Sequence, residues 1–308
     1  MKNPLLEMTG LTENDLAERR NYITATDCPA IMQTSPWKGP GDVFYEKTAE
    51  LEPLEPSDAM IWGSLMERIL IAYSRYAIGK HLGVTIRTTK NGCRRKHDNG
   101  IMSATLDARI EGRPEAIECK THALTHRNVN LEEWGAEWTA EIPPYYRDQV
   151  LGQLACSPDL DRVYVVLCAG FTRPRFYVIE RADHLERITE IEETVCNWWE
   201  AHIIPNVPPA EFPELDTVKR MTFVKDAGIE VTGLPDQLLE RRKKIGSLMT
   251  RLDKEKDKLD AELMIRMGKA LQGVSPKGHR VRMVSVSSGS YTVKAKTYFR
   301  TNIYLENN

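Results

Sequence analysis

The chain contains no run of 18 apolar residues, so no membrane-spanning helix is expected. Its first residues, MKNPLLEMTGLTEND, lack both the apolar stretch and the cleavage site of a secretory signal. Cysteine is present but unpatterned: Cys28, Cys93, Cys119, Cys156, Cys168 and Cys196 show no CxxC spacing. That argues against a thiolate zinc site or a disulfide scaffold and points to free thiols in a reducing cytoplasm. Internal repeats and low-complexity tracts are missing too. What the sequence does have is the ordinary balance of a globular protein, with 41% hydrophobic and 28% charged residues.

A net charge of −2 conceals an asymmetry. Residues 1–216 carry 23 Lys/Arg against 34 Asp/Glu, whereas residues 217–308 carry 19 against 10. An acidic body is therefore followed by a basic tail, and a polyanion would be met partly by that tail. The segment IIPNVPPAEFPELD (203–216) marks the division, so the expected domains are 1–216 and a basic helical and β-hairpin extension over 217–308.

Local patterns give a coarse map. Thr24–Met32 reads as a short helix capped by Thr24 or Thr26. A helix beginning near Ala59 carries Met60, Leu65, Ile69 and Ala72 or Tyr73 as its expected buried stripe. Strands are expected over Ile101–Ile110 and Glu115–Thr121, and Pro143-Pro144 should start a helix over Tyr145–Cys156. RVYVVLCA (162–169) is apolar on both faces, as a central strand is, and RFYVIE (175–180) is placed to pair with it. Asp183–His202 reads as a helix with Leu185, Ile188, Ile191 and Val195 inward. Pro235–Leu271 has the pattern of a long helix or helical hairpin, and HRVRMVSVSSGSYTVKAKTYF alternates like a β-hairpin around its Ser-Ser-Gly-Ser turn.

One hairpin carries polar residues that hairpin stability does not require. In SATLDARIEGRPEAIECK (103–120), alternation puts Glu118 and Lys120 on one face of a strand and Ile117 and Cys119 on the other. Asp107, from the neighbouring strand, can reach the same edge. Two carboxylates held close repel unless a cation lies between them, and Mg²⁺ suits such oxygen ligands. Glu67, in WGSLME on the preceding helix, offers a third carboxylate. Gln149, with Tyr146 on one face of the next helix and Gln153 a turn further on, offers a neutral polar group. Upstream, RRNYITATD brings Arg19 or Arg20 together with Thr24 and Thr26 as an anion pocket. A solvated strand face and a simple capped helix would look much the same.

Taken in order, Arg19…Ile23-Thr24-Ala25-Thr26-Asp27, Trp62-Gly63…Glu67, Asp107, Glu118-Cys119-Lys120 and Tyr146…Gln149-Val150…Gln153-Leu154 resemble the YqaJ/phage lambda exonuclease-type family of viral recombination nucleases, within the PD-(D/E)xK superfamily. The resemblance runs from about Arg19 to Pro208. It departs from the family pattern at Thr26, where Ser is usual, and at Ala108, where Gly usually follows the aspartate.

The resemblance implies an α/β, restriction-endonuclease-like core with a central mixed β-sheet flanked by helices. It implies a Mg²⁺-dependent 5′–3′ exonuclease, with Mn²⁺ as a substitute, that digests duplex DNA from its ends. The products would be 5′ mononucleotides and a 3′ single strand for a single-strand annealing protein in phage-type homologous recombination. Metal would be held by Asp107, Glu118 and the Cys119 backbone carbonyl, with Glu67 as a further ligand. Lys120, Gln149 and Glu67 would serve catalysis, and Arg19 and Thr26 the 5′ phosphate. A homo-oligomer, by resemblance a trimer, and the cytoplasm of a bacterial or phage-infected cell are implied as well. In the tail, Arg241-Arg242-Lys243-Lys244 is a candidate contact to the DNA backbone. Two alternatives stay open: a non-catalytic DNA-binding recombination scaffold, and an endonuclease of the same fold.

Overall fold

The computed structural model describes residues 18–52, 57–89, 93–122, 131–170, 172–221 and 232–282. The chain divides into two compact units, Met1–Val224 and Lys225–Asn308.

The first unit is built on a four-stranded mixed sheet in the order β4 (Ala108–Arg109), β5 (Glu115–His122), β6 (Arg162–Ala169), β7 (Arg175–Glu180). Only β5 and β6 run parallel. The apolar run of β6 explains its central place, because both of its faces are covered. Val163, Val165 and Leu167 point into one apolar cluster, with α4 (Pro144–Ala155) and α5 (Leu185–Trp198). Tyr164, Val166 and Cys168 point into a second, beneath α3 (Asp58–Leu82). A smaller sheet, β1 (Ile23–Thr24), β3 (Met102–Leu106), β2 (Cys93–Lys96), lies beside the first. The expected architecture, a mixed sheet flanked by helices and followed by a helical and β extension, is the one observed.

Several local expectations are corrected. The expected strand 101–110 is two strands in different sheets, β3 and β4, parted at Asp107. Residues 24–32 are not one helix: β1 ends at Thr24, and α1 is the single turn Cys28–Ile31. The Asp27 carboxylate accepts the Thr24 N–H at 2.9 Å and so closes the turn backward instead of capping α1. On α3 most of the expected core stripe faces solvent: Met60, Leu65 and Ile69 are 46%, 41% and 59% exposed, whereas Tyr73 packs against the buried cluster. The buried side is Leu70, Ile71, Ser74 and Ile78, where the small Ser74 and Gly79 allow close packing. Both sets have helical spacing, so period alone does not choose between them. On α5, Ile188, Ile191 and Val195 are buried as expected, but Leu185 at its start is exposed.

The Pro-rich arm after α5 packs back on the body. Glu214 N–H donates to Asp42 Oδ1 at 2.8 Å, and Gly41 on α2 (Pro40–Thr48) leaves room for the backbone of Glu211 and Phe212. A further helix, α6 (Leu215–Arg220), follows with Thr217 buried.

In the second unit α7 (Asp236–Met267) is a single helix about 48 Å long. None of its residues is buried. The described hairpin pairs β8 (Gln272–Val274) with β9 (Arg280–Arg282). The expected Ser-Ser-Gly-Ser turn lies outside the described residues. Among the described residues no helix is long and apolar enough to cross a membrane.

Candidate active site

The break between β3 and β4 places Asp107. β4 pairs with β5 only through Ala108–Ile117 and Arg109–Ala116, so the next β5 amide on that edge lacks a strand partner. Asp107 Oδ2 takes its place and accepts the Cys119 N–H at 2.7 Å. Because a strand residue's N–H and C=O point to the same side, the Cys119 carbonyl is directed to this edge too.

Glu118 and Lys120 emerge on the α4 face, as alternation predicts, and Lys120 Nζ donates to Glu118 Oε1 at 2.6 Å. Two amides of α4, one turn apart, complete the cluster. Gln149 Nε2 donates to Glu118 Oε1 at 2.8 Å while its Oε1 accepts from Lys120 Nζ at 2.8 Å. Gln153 Nε2 donates to Glu118 Oε2 at 2.7 Å. Glu118 is buried, and three donors bind it, two on Oε1 and one on Oε2, which leaves Oε2 with capacity for another partner. Lys120 Nζ also lies 4.8 Å over the ring of Tyr146, whose hydroxyl meets His122 Nε2 at 3.1 Å. Burial and the Lys120 ammonium lower the His122 pKa, which favours the neutral ring. The Tyr146 phenol is pushed up to about 12 by burial and by Glu118, so it keeps its proton.

Asp107 is half-buried, and its surroundings are acidic. Burial first, then the charges of Glu118 and Glu67, raise its pKa well above the usual range, and the Cys119 N–H and Lys120 only partly oppose them. The same carboxylates, after burial, raise the Cys119 thiol. Glu67 therefore reaches this edge electrostatically from α3.

Among the described residues no group of three or more His, Cys, Asp or Glu side chains stands in metal-binding geometry. The donor set nonetheless suits a hard cation that keeps several waters: Asp107 and Glu118, a backbone carbonyl, and Glu67 nearby. A buried acceptor, Gln153 Oε1, has no hydrogen-bond partner, and a water is the donor it requires.

Arg19, Thr24 and Thr26 line a small cavity together with Arg94, Ser103, Thr105, Gln149 and Gln153. The cavity thus joins the expected anion-binding residues to the amides that hold Glu118. It is a cradle of hydroxyls and guanidiniums, not a helix N-terminus, because α1 is one turn long. Asp27 organises it. Its carboxylate accepts from the Thr24 hydroxyl at 2.7 Å, from Lys38 at 2.7 Å and from Lys47 at 2.8 Å, and Lys47 also donates to the Arg19 carbonyl at 3.0 Å. Thr24 in turn meets the Thr26 hydroxyl at 2.8 Å.

Sequence reasoning missed Arg94, which reaches the cavity only because β2 pairs Arg94 opposite Thr105. Arg94 also pairs with Glu18. Arg241, Arg242, Lys243 and Lys244 lie exposed on α7, in the second unit.

Residues 16–159 match the YqaJ-like viral recombinase domain. The resemblance read from the sequence is thereby borne out. An uncharacterized protein YqaJ of Bacillus subtilis (strain 168) is 30% identical over 197 residues. That alignment covers 63% of this chain and 57% of the relative, so the chain spans little more than half the relative's length. Among solved structures, an alkaline exonuclease from Laribacter hongkongensis has a TM-score of 0.46 at 20% identity, covering 62% of this chain and 92% of that one. A phage related exonuclease from Haemophilus somnus 129PT has a TM-score of 0.34 at 13% identity, covering 67% and 90%.

Proposed function

We propose that the protein is a divalent-cation-dependent nuclease acting on DNA and, within that class, a 5′–3′ exonuclease on duplex ends that leaves a 3′ single strand. One observation carries the reading. Half-buried Asp107 accepts the Cys119 N–H on the strand edge where buried Glu118 is held by Lys120, Gln149 and Gln153.

Asp107, Glu118 and the Cys119 carbonyl would hold Mg²⁺, or Mn²⁺ in its place, with Glu67 supporting it. When bound, the cation supplies a more acidic water and neutralises charge on the attacked phosphate. Lys120, fixed between Glu118 and Gln149, donates to the attacking water or to a phosphate oxygen. Gln149 holds the Lys120 ammonium in place and adds no charge of its own. Gln153 orients Glu118 and leaves Oε1 to accept from a water. Arg19 and Arg94, with the Thr24 and Thr26 hydroxyls, bind the terminal 5′ phosphate through charge-assisted hydrogen bonds. A terminal nucleotide anchored there presents its 3′ phosphodiester to the carboxylate edge, and cleavage releases a 5′ mononucleotide.

The basic run 241–244 contacts DNA backbone, and the 3′ strand passes to a single-strand annealing protein. Self-assembly, with a trimer as the expected form, completes the proposal.

The test is end-labelled linear duplex, with and without a 5′ phosphate, beside a covalently closed circle, in Mg²⁺ and in EDTA. Release of labelled mononucleotide from the phosphorylated linear duplex in Mg²⁺ alone is expected. A cut circle would make the protein an endonuclease, and binding without any cleavage would make it a scaffold.

A further inference from the structure

The edge of the site away from the anion cavity carries an aromatic surface that the roles above do not use. Trp37 is 59% exposed. Its ring meets Tyr145 edge-on at 4.7 Å and Tyr146 at 6.1 Å, and the two tyrosine rings lie 4.4 Å apart. Tyr146 is also the ring beneath Lys120, so this surface is continuous with the candidate catalytic cluster.

The loop bearing Trp37 is pinned on both sides. Before it, the Thr34 hydroxyl donates to Asp148 at 2.8 Å. After it, Lys38 binds Asp27 at 2.7 Å and Glu46 at 3.0 Å. A single exposed aromatic is ordinary on a protein surface. A held-out indole in contact with two tyrosines, one of them beneath the Lys120 ammonium, is a built platform.

The order of residues on α4 identifies what the platform meets. Gln153 lines the anion cavity, Gln149 one turn earlier lines it too and binds Lys120, and Tyr145 a further turn back belongs to the aromatic surface. Each step is about 6 Å along the helix. A strand whose terminal phosphate lies in the cavity and whose next phosphate lies at Lys120 therefore continues past the rings. Flat π-faces accept any base without reading its edge, and a base must be unpaired to stack there.

We propose that the exposed Trp37 ring, backed by Tyr145 and Tyr146, forms a stacking shelf for an unpaired nucleobase of the strand being cut, just beyond the scissile phosphate. This rests on the nuclease reading. The shelf makes the separation of the terminal base pairs favourable, and it is specific for the presence of a base rather than for its identity.

The test uses the full-length protein and 5′-phosphorylated duplexes carrying one abasic nucleotide at the first, second or third position. For the wild type, an abasic second position should slow cleavage by about tenfold or more. Trp37→Ala should lose about as much on the intact duplex and show no further loss at the abasic second position. Trp37→Phe should restore most of the rate. An equilibrium arm in EDTA compares oligo-dT with an abasic oligomer of equal length, and the wild type should prefer oligo-dT whereas Trp37→Ala should not. A wild type indifferent to all three abasic positions, or a Trp37→Ala variant as sensitive as the wild type, overturns the shelf and leaves the nuclease reading standing. Complete absence of cleavage sinks the nuclease reading, and the EDTA arm then decides the shelf.

Discussion

Asp27 and Asp107 are two carboxylates of one unit, the first buried and the second half-buried, and their surroundings are opposite. Asp27 meets Lys38 and Lys47, and despite the penalty of burial the two ammoniums hold it well below the usual carboxylate range. Asp107 meets Glu118 and Glu67, and burial and repulsion together push it up. Buried Asp148 is likewise paired with a cation, Arg187, and buried Glu115 with Arg113. A carboxylate with cations around it braces a fold. A carboxylate among carboxylates on a strand edge is a place prepared for a cation. The anion cavity hangs on the brace, and the candidate catalysis on the edge.

Breaking the edge should have the largest effect on activity. Asp107→Ala or Glu118→Ala is expected to reduce Mg²⁺-dependent cleavage by more than about a hundredfold, beyond the usual cost of losing an outer partner of a metal. Circular dichroism should show the fold retained. Lys120→Ala should be impaired by about 10²-fold while still binding DNA in a filter or anisotropy assay.

Breaking the brace should act on stability instead. Asp27→Ala strands the buried Lys47 and the half-buried Lys38, so denaturant titration should show a loss of about 3–5 kcal/mol. Lys47→Met, which removes one charge and fills its space, should cost less.

The pH dependence of stability separates the two by sign. The folded pKa of Asp27 lies below its unfolded value of about 3.9, so its contribution is full above that value and is lost as pH falls through the lowered folded pKa. The folded pKa of Asp107 lies above its unfolded value, so the metal-free folded state binds the extra proton. Its contribution is present at low pH and is lost as pH rises through the raised folded pKa. Unfolding in EDTA across pH should therefore show a rise toward mild acid that Asp107→Asn removes and Asp27→Asn does not. Added Mg²⁺ or Mn²⁺ should flatten the same rise.

Smaller effects test the cavity and the tail. Wild-type protein should degrade 5′-phosphorylated duplex faster than 5′-hydroxyl duplex, and Arg19→Ala or Arg94→Ala should shrink that ratio by about tenfold, as loss of one charge-assisted contact does. Replacing Arg241, Arg242, Lys243 and Lys244 by Gln in the intact chain should lower the salt dependence of DNA affinity by up to about 0.9 per lost contact. An unchanged slope would leave the exposed apolar positions of α7 as a protein-docking surface.

Much of the candidate site was legible because it rests on local rules. Strand alternation put Glu118 and Lys120 together, helix spacing put Gln149 and Gln153 on one side, and the apolar run of β6 set the centre of the sheet. Register was not legible. Arg94 reaches the cavity through a cross-strand pairing, and Asp107 reaches the Cys119 amide because β3 and β4 part company at that residue. Nor did the period show which side of α3 is packed: Met60, Leu65 and Ile69 have the spacing of a core stripe and lie in solvent. The helix α7 repeats the lesson, since its apolar spacing is good and none of its residues is buried. Periodicity marks a face, and only the neighbouring elements decide whether that face is covered.

The central claim is that the Asp107 edge is built for a divalent cation. A crystal soaked in Mn²⁺ and measured at the manganese absorption edge tests it most directly. The account predicts an anomalous peak bound by Asp107, Glu118 and the Cys119 carbonyl, and its loss in Asp107→Ala. No peak there at high Mn²⁺, with these side chains well ordered, would contradict it.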